Sequence, residues 1–152
     1  MNSKKWHIRD LKIKIAMSKE VKDFAKEIGA TRPQSGEESY KLFKSMFRRS
    51  NYFRHNKGFM IIKISRIEKP FWGVGKEYID FLNDLDISYF LVLLDSEKSG
   101  YVFDKREINR MIKRREWGLA KDDNYKINSP LPNKYLFLNV DQFISKIGAK
   151  ET

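Results

Sequence analysis

Ser88–Asp95 reads SYFLVLLD, and Tyr89–Leu94 within it is the longest apolar run in the chain. It has the length of a β-strand and falls far short of the roughly 18 apolar residues of a membrane span. Ser96–Gly100 follows and ends in glycine, which predicts a hairpin turn with Tyr101–Phe103 as the returning strand. Upstream, Phe59–Ser65 (FMIIKIS) is a second strand. Its apolar run suggests burial on both faces, interrupted by Lys63.

Pro70–Gly75, with two glycines, predicts a turn between that strand and a helix from about Lys76 to Asn83. The helix buries Tyr78, Ile79, Phe81 and Leu82. Past the hairpin, Asp104 and Glu107 have capping-box spacing. They open a helix with Ile108, Met111 and Ile112 inward and Arg110, Lys113 and Arg114 outward. Short strands are expected at Tyr125–Ile127 and Tyr135–Leu138. Asn139 caps a last helix that buries Val140, Phe143, Ile144 and Ile147.

Toward the N-terminus, Leu11, Ile13, Ile15 and Met17 alternate with Lys12, Lys14 and Ala16, as in a strand with one wet face. Val21, Phe24, Ala25 and Ile28 have helical spacing between a Ser18 cap and Gly29. Ser35 and Glu38 form a second capping box. Its helix places Tyr40, Phe43, Met46 and Phe47 on one face, with Lys41, Lys44, Ser45 and Arg48 on the other. Ser50–Gly58 reads as a loop. The order predicts an α+β fold: one compact domain over residues 1–152, a mixed or antiparallel sheet with flanking helices, and frayed termini from Lys150 on. In outline it is similar to nuclease-like α+β folds, an analogy of fold with little functional weight.

The chain has 152 residues, enough for one real core, and no cysteine. Disulfides, thiolate catalysis and cysteine metal sites are therefore excluded. His7 and His55 are the only histidines, too few for a histidine-rich zinc site. The N-terminal MNSKKWHIRD has charges and no following apolar run, so it is not a secretory signal. We expect a soluble, cytoplasmic protein with no membrane partner.

Charge is concentrated. Lys41–Lys76 holds ten Lys or Arg against Glu68 alone, a net +9 of the chain's +11. Lys105–Arg115 adds a net +5, so the remainder is acidic at −3. Local basicity of this kind is the footprint of a polyanion, and we expect nucleic acid, in the first instance DNA. Candidate contacts are Lys44, Arg48, Arg49, Arg54, Lys57, Lys63 and Arg66 in the first block, and Arg110, Lys113 and Arg114 in the second. The turn adds Trp72, Gly73, Gly75 and Lys76, since glycines let backbone N–H groups approach a phosphate. It is not a Walker loop: Pro70 stands at its first glycine and Glu77 at its metal-binding hydroxyl. The ordinary reading, a tight turn with Trp72 packed on the core, is preferred over the phosphate one. Tyr52 and Phe53 offer stacking surfaces, but core packing is their commoner role. Trp117 is likewise read as core, and His55 as a surface or DNA-facing side chain.

The alternative is a divergent metal-dependent nuclease of the restriction type. Such enzymes hold Mg²⁺ with an Asp and a D/E-x-K on adjacent strands. Here D/E-x-K occurs only at Asp10-Leu11-Lys12 and Glu20-Val21-Lys22, while the best strand reads Ile61-Ile62-Lys63. Glu38, Lys63 and Asp95 would carry that alternative, and only there is a cofactor, Mg²⁺, implied. A third expectation is an interaction domain for an acidic protein.

Overall fold

The computed structural model describes residues 19–36, 40–47 and 52–150. The expected first strand, Ser18, Glu38, Arg48, Arg49 and the last two residues lie outside them. In chain order the elements are α1 (19–28), α2 (Tyr40–Phe47), β1 (Tyr52–His55), β2 (Gly58–Ile64), β3 (Phe71–Gly75) and α3 (Lys76–Asp84). Then come β4 (Tyr89–Leu94), β5 (Gly100–Asp104), α4 (Lys105–Lys113), β6 (Gly118–Leu119), β7 (Asn124–Asn128), a 3₁₀ turn (Asn133–Tyr135), β8 (Leu136–Phe137) and α5 (Val140–Ala149).

The SYFLVLLD stretch becomes β4, the middle strand of a five-stranded sheet ordered β1-β2-β4-β5-β8. It runs parallel to β2, with Phe59 opposite Tyr89, and antiparallel to β5, with Leu91 opposite Phe103. The other pairings are antiparallel, so the sheet is mixed and the fold is α+β. Successive side chains leave opposite faces of a strand. Met60, Ile62, Phe90, Val92, Leu94 and Val102 pack against Val21 and Phe24 of α1 and Phe143 and Ile147 of α5. Ile61, Tyr89, Leu91, Leu93 and Phe103 pack on the other face against α2, α3, α4 and the second sheet. A strand covered on both faces has no wet side, and all six residues of β4 are buried.

Local signals close the elements as their residues predict. Gly29 ends α1 at φ +79°, and the Ala30 N–H returns to the Ala25 carbonyl at 2.9 Å. Asp104 and Glu107 form a reciprocal capping box at the start of α4. Asn139 accepts the Gln142 N–H at the start of α5. The hairpin needs Gly100, because a Cβ there would lie 2.1 Å from the Leu93 carbonyl oxygen.

Four expectations are corrected. Ser50–Gly58 is not all loop: β1 pairs with β2, Tyr52 opposite Ile61. Tyr52 and Phe53 enter opposite faces of the core, so neither leaves an alternating pattern. The turn expected at Pro70–Gly75 is, from Phe71 on, the strand β3, edge of a second sheet ordered β3-β7-β6. Its extended form comes from its pairing with β7, a distant partner invisible in local sequence. In α5, Ile144 is exposed, and so is Leu138 before it. Lys150 does not fray: its ammonium donates to the Glu107 carboxylate at 2.6 Å.

Candidate nucleic-acid interface

One end of the large sheet, where β2 and β4 begin, gathers cations from both basic blocks. Arg54 lies next to last in β1, and Lys57 follows Asn56 at the hairpin tip; both basic side chains are exposed. His55 locks this tip. Its Nδ1 accepts the Lys57 N–H at 3.0 Å, so Nε2 carries the proton and donates to the Ile28 carbonyl at 2.9 Å. Both ring nitrogens are thus engaged within the protein, while His55, expected as a surface or DNA-facing side chain, also lines the cleft beside the hairpin. Gly58 adopts φ +150°, and a Cβ there would stand 2.9 Å from the Ser88 carbonyl oxygen. That same oxygen accepts the Phe59 N–H at 3.0 Å. Glycine therefore lets the hairpin close onto the start of β4.

Between the hairpin, α2 and Ile87-Ser88 lies a cleft of about 670 Å³. Tyr40, Phe43 and Phe59 supply its aromatic wall, and Arg54 and Lys57 its rim. Among the described residues, no carboxylate lines it. Phe43 is fixed by Phe59, with ring centres 4.9 Å apart, and by Phe81 at 5.8 Å. Lys44 lies over the Tyr40 ring, 5.6 Å from its centre. Ser88 also lines a second, smaller cleft with Lys105, Arg106, Asp104 and Asn109. Lys105 pairs with Asp86 at 3.3 Å, and Asp86 is almost fully exposed. An exposed pair of this kind is weak and open to exchange for a phosphate.

The remaining candidates lie elsewhere. Arg110, Lys113 and Arg114 sit beyond Lys105 along α4, up to about 13 Å away at 1.5 Å per residue. Lys63 is five residues from Gly58 on β2, about 17 Å along the strand. Arg66 is tied to Glu20 at 2.8 Å. Trp72 is buried and donates its indole N–H to the Leu94 carbonyl at 3.0 Å, the core role preferred from sequence. Gly73 and Gly75 are strand residues opposite Lys126 and Asn124. Lys76 pairs with Asp80, which with other acidic neighbours raises its pKa, and Glu77, Asp122 and Asp123 line the same hollow. Those acids make a poor surround for a phosphate. Trp117 is buried edge-on to Phe103 at 5.0 Å.

Lys63 is half-buried, and burial lowers its pKa. Among the described residues no carboxylate pairs with it. Asp95, just past the end of β4, accepts the Ser99 hydroxyl at 2.6 Å and shapes the hairpin turn. Among the described residues, no three His, Asp or Glu side chains gather as a metal site. None of their helices is long and apolar enough to cross a membrane.

Lys105 and Arg106 belong to the second basic block, yet sequence singled out the later residues of α4 instead. Charge counting marks a block but not which end of a helix meets a distant hairpin. Tyr40 and Phe43 were legible as an apolar face, but nothing local shows that their outer edges border a cleft. No known protein family, curated protein or solved structure matches the chain.

Proposed function

We propose that the protein binds nucleic acid, with DNA as the first candidate, through the end of the sheet where Arg54 and Lys57 meet Lys105 and Arg106. One observation carries the reading. Cations from two blocks about fifty residues apart in sequence line two clefts that share Ser88, and among the described residues no carboxylate lines the larger one. A basic surface assembled from separate elements suits a chain of phosphates better than scattered solvated charge does. Lys44 on α2 extends the track, and Arg48 and Arg49 follow it in sequence. The protein serves in this reading as a binding module of a nucleic-acid-processing system, with no bond made or broken at this site. The cations that would meet an acidic protein are the same, and a polypeptide competitor separates the two.

Fluorescence anisotropy at increasing salt tests the proposal. With about six phosphates contacted, log affinity falls against log salt with a slope of about −5 on duplex. Reversing Arg54 and Lys57 together to Glu weakens binding at least about ten-fold and flattens the slope, while reversing Lys113 and Arg114 changes both little. Folded protein that binds no nucleic acid at low salt, or an acidic polypeptide that outcompetes it, removes the proposal.

A further inference from the structure

We infer that the cleft beside the hairpin receives one unpaired nucleotide, so that the ligand is a single strand, or a strand end, rather than intact duplex. The inference rests on the binding site proposed above and specifies its ligand. Three features point to it. The cleft is concave at about 670 Å³, inside the range of about 300–1,000 Å³ usual for small-molecule sites. A rigid duplex presents its bases edge-on within grooves and does not fill a pocket on a protein surface. The cleft also divides chemically, with the Tyr40, Phe43 and Phe59 rings on its wall and Arg54 and Lys57 on its rim. That division matches a nucleotide, whose base is a flat apolar surface and whose phosphate is an anion.

The wall is held in place before any ligand arrives. Phe43 packs against Phe47, Phe59 and Phe81, so the wall loses little freedom on binding. Tyr40, like Phe43, is half-buried on α2, and its ring at the start of the helix is the one assigned to stack on the base. The cations do not stop at the cleft but continue through Ser88 to Lys105 and Arg106. A lone phosphate would not need that continuation, whereas neighbouring phosphates of the same strand would. The chemistry shared with a free mononucleotide is the base and one phosphate, and the strand adds the further contacts.

Labelled single-stranded and duplex DNA of equal length, and AMP, are titrated into wild-type protein, Tyr40→Ala and Tyr40→Phe. The single strand is expected to bind at least about ten-fold more tightly than duplex. Tyr40→Ala, with its melting temperature checked, lowers single-strand affinity at least about five-fold and narrows the preference for single strand over duplex. Tyr40→Phe restores it, because the ring alone stacks. Equal affinity for both forms, with no effect of Tyr40→Ala, overturns this inference while leaving nucleic-acid binding intact. AMP binding as tightly as the strand, with the same dependence on Tyr40, overturns the assignment to a strand. No binding of any form removes the broader proposal as well.

Discussion

Lys63 is the one charged residue in β2, and it stands on the same face as Phe59 and Ile61, opposite Leu93 of β4. Its interruption of the apolar run was visible in sequence, and the structure explains why it reads oddly. The side chain is half-buried with no acidic partner among the described residues, and burial holds its pKa below 10.5. The sign follows from proton uptake. The unfolded chain holds this proton more tightly, so the charge opposes folding at neutral pH, and stability rises as pH climbs from the lowered pKa toward 10.5. Lys63→Met should therefore raise unfolding free energy at pH 7 by about 0.5–2 kcal/mol, a gain that shrinks as pH nears 10.5. Denaturant titrations at several pH values check this. A loss of stability would mean that Lys63 holds a charge partner after all. His55 teaches the complementary lesson: composition marked it as one of two histidines, but only the fold shows both nitrogens engaged within the hairpin.

Among elements, those read correctly carry their own signals. β4 and β5 are apolar runs joined by a short turn, α4 opens on its capping box, and α5 opens on Asn139. β1 and β3 were missed because each depends on a partner. Arg54 and His55 make β1 look like loop, and two glycines make β3 look like a turn, until β2 and β7 pair with them. A tertiary link no local pattern shows is the polar cluster joining α3, β4 and α4. The Tyr89 hydroxyl donates to Asn83 Oδ1 at 2.9 Å, and Asn83 donates to Asn109 Oδ1 at 2.9 Å. Burial is the main cause that pushes the Tyr89 pKa up to about 12, against its two hydrogen bonds with asparagine. The unfolded chain gives up this proton near pH 10, the folded chain only near 12, so stability is complete below pH 10 and is lost as pH rises through that window. Tyr125, also raised by burial, adds a loss of the same sign. Tyr89→Phe should cost about 1 kcal/mol at pH 7 and make unfolding free energy less sensitive to alkali. An unchanged alkaline profile would show that Tyr89 does not carry this linkage.

At the scale of the whole molecule, the sign and local density of charge were legible, and its geometry was not. The first basic block spans α2, β1, β2 and β3, and these elements send it to different ends of the sheet. Arg54 and Lys57 reach the cleft, Lys63 and Arg66 lie toward the far end of β2, and Lys76 joins an acidic hollow. The second block contributes through the first turn of α4 rather than its last. Only the crossover from β2 to its parallel neighbour β4 brings Ser88 beside Gly58 and so unites the two blocks. The central claim is this place of binding, and backbone amide shifts of isotope-labelled protein test it most directly. On titration with single-stranded DNA at low salt, perturbations should cluster at Arg54–Gly58, Ile87–Ser88 and Asp104–Arg106. Perturbations centred instead on Lys63, Arg66 and the Phe71–Lys76 segment, or spread evenly over the surface, would contradict the account.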